Sequence, residues 1–139
     1  MLIEKLLYHA RVRATLGRHT RVISSDGVLD LELKNPGEQV AVSGPHTEQL
    51  FAAAYAACFL QVMRLVALRE GMHIPVNTEV QVSVGVGPTA RGLRMEVELG
   101  ISLPGVPRAD ADWLVEHSHA ICPYSNAVRG NVSVRLVLV

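Results

Sequence analysis

One stretch constrains this chain more than any other: from Leu50 to Leu68 the residues are apolar almost without a break, and Ala52, Ala53, Ala54, Ala56 and Ala57 crowd its first half. Thr47 offers an N-cap hydroxyl, Glu48 complements the helix dipole in the first turn, and Gly71 follows the last periodic residue, so the stretch predicts one helix from Thr47 to about Glu70. A helix that is apolar nearly all round must be enclosed by protein or by lipid. Gln61 and Arg64 interrupt the run, and no second span or flanking charge asymmetry accompanies it. A long buried central helix in a folded core is therefore expected, with small side chains that let another backbone approach.

The rest of the chain must supply what encloses it. From Leu6 to Thr15, Tyr8, Ala10, Val12 and Ala14 alternate with His9, Arg11 and Arg13, which is strand periodicity. Gly17-Arg18-His19-Thr20 reads as a turn, Arg21 to Ser24 as a returning strand, Ser25-Asp26-Gly27 as a hairpin turn, and Val28 to Lys34 as a third strand. Asn35 to Pro45, with Gly37, Gly44 and two prolines, reads as a loop. Beyond the helix, Val76, Val80, Val82, Val84 and Val86 share one face, as do Leu93, Met95, Val97, Leu99, Ile101 and Leu103, with a turn over Gly87 to Gly92. A second helix is expected from Arg108, acidic early at Asp110 and Asp112 and carrying His117 and His119 late; Pro123 ends it, and Asn131 to Val139 forms a last strand. The order β-β-β-α-β-β-α-β predicts a single α+β domain over residues 1–139, with antiparallel sheets and two main helices.

The 139 residues carry 13 basic and 13 acidic side chains, hence no net charge. That removes the global field by which a basic protein holds nucleic acid or an anionic membrane, so neither partner is expected. A neutral chain with a mean hydropathy of +0.25 suits an oligomer that covers its apolar surface. Charged residues at Glu4, Lys5, Arg11 and Arg13 break any early apolar segment, so no secretory signal and a cytoplasmic location are expected, where a structural disulfide would be unusual.

Chemistry then turns on the two cysteines. Cys58 falls deep in the apolar helix and Cys122 directly before Pro123; each can be an inert buried hydrophobe, and their spacing is not that of a short redox or zinc motif. His117, His119 and Cys122 cluster in sequence, but residues two apart on a helix face away from each other, and no further ligands stand at a suitable spacing. No metal is expected. The glycines near Gly85 and Gly92 read as hairpin turns rather than a phosphate loop.

Two longer blocks change that balance. Glu48-Gln49-Leu50-Phe51-Ala52-Ala53-Ala54-Tyr55-Ala56-Ala57-Cys58-Phe59 and Cys122-Pro123-Tyr124-Ser125-Asn126-Ala127-Val128-Arg129-Gly130-Asn131 resemble the organic hydroperoxide resistance proteins of the OsmC-like group. Ser24-Ser25-Asp26-Gly27-Val28-Leu29-Asp30 is similar to that family's early hairpin. The resemblance implies an intertwined homodimer with two interfacial sites. It also implies a peroxidase acting on small organic hydroperoxides through a peroxidatic Cys58 and a resolving Cys122, with Arg18 activating the thiolate and Glu48 holding that arginine. No bound cofactor is implied; the reductant would be an external dithiol of lipoyl type, a lipoylated protein or dihydrolipoamide.

The residues suit those roles. A peroxidatic sulfur must be ionised, yet burial raises a thiol's pKa and Cys58 lies too far into its helix for the N-terminal dipole to help, so a guanidinium is needed. The apolar side chains Phe51, Tyr55, Phe59, Met63 and Tyr124 are candidates for a pocket favouring an organic peroxide. Glu48 and Cys58 are ten residues apart, about 15 Å along a helix axis. One arginine joins them most simply if two central helices pack antiparallel across a two-fold axis. The chain departs from the family in its short Gly44-Pro45-His46-Thr47 loop and in Ala54 and Ala56, where Gly and Ser are usual. The competing readings are a non-catalytic module of the same fold that binds apolar ligands or senses redox state, and an inert structural dimer.

Overall fold

The computed structural model describes residues 2–34 and 44–139, in two compact units, Met1–Thr47 and Glu48–Val139. Much of the loop expected over Asn35 to Pro45 therefore lies outside the described residues.

The first unit holds a three-stranded antiparallel sheet in the order β1 (Val12–Thr15), β2 (Arg21–Ser24) and β3 (Asp30–Glu32). β1 and β3 are shorter than the alternation suggested. Leu6, Leu7 and Tyr8 carry apolar side chains but are 65%, 80% and 84% exposed, and they pair with no strand. The Ser25-Asp26-Gly27 turn forms as expected: Gly27 has φ 75°, and Asp26 accepts from the Val28 N–H at 3.0 Å. Gly44 passes so close to Glu32 that a Cβ there would collide with the Glu32 carbonyl oxygen.

In the second unit, α1 (Thr47–Arg69) follows its expected bounds within a residue. It is long and apolar enough by composition to cross a membrane, but it buries a stripe, Tyr55, Phe59, Met63, Val66 and Ala67, against a protein core. The expectation of burial on every face is corrected here. Ala53, Ala57, Gln61, Arg64, Leu65 and Leu68 are exposed, because the sheet and second helix of this chain pack on one side of the stripe only.

β4 (Glu79–Thr89) and β5 (Gly92–Ser102) make a long antiparallel hairpin in which Val80, Val82 and Val84 oppose Ile101, Leu99 and Val97. Val97, Leu99 and Ile101 are buried, as the alternation requires. Val76 is not part of that face: it lies in a turn closed by Thr78 N–H to Pro75 O and is fully exposed. Gly85 is inside β4, paired with Glu96, rather than in a turn; the reversal is the tight step from Thr89 to Gly92, whose φ of 106° needs glycine.

α2 (Arg108–Ile121) buries Ala111, Leu114, Val115 and Ser118, the i, i+3, i+4, i+7 stripe of an amphipathic helix. A short helix absent from the sequence reading follows, α3 (Pro123–Val128). Pro123 does stop α2, but it also starts α3, since proline at the first helical position loses no needed hydrogen bond. The last strand, β6 (Ser133–Leu138), pairs parallel to β5, so the second sheet, in the order β4-β5-β6, is mixed and the expected all-antiparallel arrangement is corrected. The crossover through α2 and α3 makes a parallel return possible, as a hairpin would not.

Candidate active site

The backbone at the α2–α3 junction places Cys122. A residue before proline is driven out of helical geometry, and Cys122 takes φ −63°, ψ 124° as the last cap of α2 and the first of α3. Its N–H donates to Ser118 O at 2.8 Å and its carbonyl accepts from Asn126 N–H at 2.9 Å, so the turn is fixed on both sides. The side chain is fully buried.

Cys58 stands half-buried on the edge of the α1 stripe, one turn beyond Tyr55. Cys122 and the Tyr124 N–H, one of the first donors of α3, are both close enough to act on its thiol. Both cysteines are free thiols. Burial pushes the Cys58 thiol above its ordinary range; the charge and hydrogen bonding of Cys122 add to that, and the Tyr124 N–H opposes it. In these surroundings the resting sulfur is protonated at neutral pH and needs a further cation to ionise.

A buried polar line flanks the pair. The Tyr55 hydroxyl and Ser125 Oγ are 2.7 Å apart, and Ser125 Oγ is 2.8 Å from His119 Nδ1. Arg129 donates to the His119 carbonyl oxygen at 2.7 Å and also bonds Asn126. Burial, then the Arg129 charge, lowers the His119 pKa, so this imidazole is neutral at pH 7. Burial chiefly raises that of Tyr55; both sulfurs reinforce the rise, while Ser125 and Arg129 offset it. Tyr55 packs edge-on against Tyr124 (centroids 5.8 Å apart) and against Phe51 (6.3 Å). Ser118, buried one turn before Cys122, has a hydroxyl with no partner.

The expected aromatic and methionine residues therefore separate into two groups. Tyr55, Phe59 and Met63 are fully buried and belong to the core, whereas Phe51 and Tyr124 keep partial exposure and could meet a substrate. His117 stacks on Trp113 at 3.8 Å while His119 turns to Ser125, so the two histidines diverge. Glu48 is half-buried in the first turn of α1. Arg18 is in the first unit, exposed in the bend after Gly17. The sequence reading missed the contacts of Ser125, His119 and Arg129 about Cys122. Their signal was the proline: a Cys-Pro step that opens a helix folds its next residues back towards the end of the helix before it.

Residues 37–137 match the family model for OsmC-like protein. The chain is 45% identical over 137 residues to an organic hydroperoxide resistance protein of Xanthomonas axonopodis pv. citri, covering 97% of this chain and 96% of that one. It is 38% identical to the organic hydroperoxide resistance protein OhrA of Bacillus subtilis, with 94% of each covered. Among solved structures, OhrB of Bacillus subtilis superposes with a TM-score of 0.88 at 37% identity, covering 96% of this chain and all of that one.

Proposed function

Because the chain belongs to the OsmC-like family and, within it, to the organic hydroperoxide resistance proteins, we propose that it is a cysteine-based peroxidase that reduces organic hydroperoxides to alcohols. The observation that carries this reading is the meeting of two free thiols from distant parts of the sequence, one half-buried at the core edge and one fixed by a Cys-Pro turn.

In the proposed cycle the Cys58 thiolate attacks the outer peroxide oxygen, the O–O bond breaks, and the alkoxide leaves as alcohol after taking a proton. Cys58 becomes a sulfenic acid. Cys122 attacks that sulfur, water leaves, and a Cys58–Cys122 disulfide remains. A dihydrolipoyl dithiol then restores both thiols by exchange and is itself oxidised to the cyclic disulfide. Burial of Cys58 makes an activating cation necessary, and the family resemblance assigns that role to Arg18, held by Glu48. The working form is a homodimer in which the exposed, small-residue side of α1 around Ala53 and Ala57 meets its copy, and Glu48 of one subunit serves the Cys58 of the other. Phe51 and Tyr124 would favour a substrate with an apolar tail.

The test is peroxide consumption with dihydrolipoamide, comparing an alkyl hydroperoxide with hydrogen peroxide. Faster turnover of the alkyl substrate is expected. Cys58→Ser should be inactive, and Cys122→Ser should react once and then accumulate sulfinic or sulfonic Cys58. Sustained turnover by Cys122→Ser, or oxidation that yields only disulfides between subunits, would overturn the cycle.

A further inference from the structure

The line Tyr55–Ser125–His119 crosses three elements. Tyr55 is on α1 one turn before Cys58, His119 is on α2 three residues before Cys122, and Ser125 is on α3 three residues after it. Tyr55 and Ser125 are fully buried, so each hydroxyl depends on the other and on His119 for its hydrogen bonds. Ser125 has a single proton to donate, and His119 decides where it goes. With Nδ1 bare, His119 accepts from Ser125, and Ser125 accepts from Tyr55. With Nδ1 protonated, His119 donates to Ser125, Ser125 donates to Tyr55, and the Tyr55 proton is released to point elsewhere.

We propose that Tyr55, Ser125 and His119 are positioning residues that form a reversible hydrogen-bond relay, holding the Cys122 turn against Cys58 and transmitting the protonation state of His119 to the two sulfurs. Geometry supports the holding role, because the Tyr55–Ser125 bond ties α3 to α1 beside the point where Cys58 meets Cys122. The transmitting role follows from placement: Tyr55 is one turn before Cys58 on the same helix and packs edge-on against Tyr124, two residues after Cys122. Among the described residues, the titratable or charged groups about the line are Arg129, Tyr55, Tyr124, Cys58 and Cys122, with Glu116 and His117 exposed on the same helix as His119. Burial, then the Arg129 charge, opposes protonation of His119; with the neutral ring carrying its proton on Nε2, the reversed state is reached only in acid. There the freed Tyr55 O–H and the imidazolium charge both favour a thiolate. The relay rests on the peroxidase reading only for which oxidant closes the sulfur pair in the cell.

Diamide separates the two ideas. Its N=N bond accepts two electrons and two protons as the two thiols form an S–S bond, so closure is measured without a peroxide. Closure rates are followed from pH 5 to 8 in the full chain and in His119→Gln, Ser125→Ala and Tyr55→Phe. A thiol reacting through its anion slows about tenfold per pH unit below its pKa. His119→Gln should follow that slope throughout, whereas the wild-type protein should fall less steeply in the acid range, below the ordinary histidine value from which burial lowers His119. Ser125→Ala should lose the flattening and close about tenfold more slowly at pH 7, the worth of one buried hydrogen bond. Tyr55→Phe removes the other hydroxyl of that bond and should behave alike, which covers a failure of Ser125→Ala to fold. Identical acid slopes in wild type and His119→Gln overturn the relay, as does closure of both hydroxyl-deleted variants at the wild-type rate. An alkyl hydroperoxide that leaves Cys58 unreacted while diamide shows the expected slopes would instead overturn the peroxidase reading and leave the relay standing.

Discussion

The two units of this chain hold their shapes by different means. The second packs Tyr55, Phe59, Met63, Leu99, Ile101 and Leu114 out of solvent, and both sulfurs are set on the elements that meet in that core. Among the described residues of the first, Leu33 is the one buried apolar side chain; Leu2, Ile3, Leu7, Tyr8, Leu16 and Val28 are all more than three-quarters exposed. Its three short strands are kept by local polar contacts, such as the two-pronged bond of Arg21 to Asp30 at 2.8 Å and the Ser24–Asp26 turn. Three strands without a packed face are marginal in water. The proposed chemistry follows the same division: the proposed reacting atoms are in the unit with a core, and the proposed activating Arg18 is on an exposed bend of the unit whose described residues bury little.

The sharpest way to break that comparison is Arg18→Ala. If the guanidinium ionises Cys58, alkylation of Cys58 by iodoacetamide at pH 7 should slow by about thirtyfold or more, the ratio between a mostly ionised thiol and one titrating near 8.5. Diamide closure should still yield the Cys58–Cys122 disulfide. Unchanged alkylation would show that the second unit ionises its own sulfur.

Next in size is a pair of truncations. Phe59→Ala should cost about 3–5 kcal/mol in denaturant unfolding. Leu29→Ala, at a position 37% exposed in the first unit, should stay within about 0.5 kcal/mol. Equal effects would mean that Leu29 is buried in the working assembly. Gly44→Ala should fall between them at about 1–3 kcal/mol, since the added Cβ must displace backbone at Glu32. Faster hydrogen exchange at Leu33 and Lys34 would locate the damage; an undisturbed thermal midpoint would count against the close approach.

The smallest effect concerns pH. Arg21 holds the Asp30 carboxyl below the usual carboxylate range, and the Ser24 hydroxyl, then the Val28 N–H, do the same for Asp26. A carboxylate whose folded-state pKa is depressed stabilises the fold above its unfolded value and loses that contribution as pH falls through the folded value. Asp30→Asn should therefore lose a small contribution at pH 7 and flatten the acid limb of stability below pH ~4, where variant and wild type converge. An unaltered acid limb would remove the ion pair from the forces keeping β2 and β3 together.

How legible each region was in the sequence follows the same physics. α1, α2 and the β4–β5 hairpin read clearly because burial imposes a period: Leu99 and Ile101 had to face inward, and Ala111, Leu114, Val115 and Ser118 had to share a face. The short β1 and β3 read poorly because Tyr8 and Val28 stay exposed among the described residues, so their alternation had no described core to answer to. The parallel pairing of β6 was invisible, since alternation within a strand does not reveal its neighbour's direction. Both cysteines stood out only through the blocks around them. The Tyr55–Ser125 bond joins residues 70 apart in sequence, and no local pattern announces it.

The parallel pairing of β5 with β6 has a consequence in time. The β4–β5 hairpin joins neighbours and can form as soon as its residues exist, but β6 pairs Leu138 with Ile101 and must wait for α2 and α3 to be laid down between them. Cys122 is in that waiting segment. Until the crossover settles, the proposed resolving thiol has no fixed place beside Cys58. In the proposed cycle, a newly made chain meeting an oxidant before its last strand docks would have a sulfenic acid with nothing beside it to capture it, so the capacity to survive oxidation would be acquired only as folding ends.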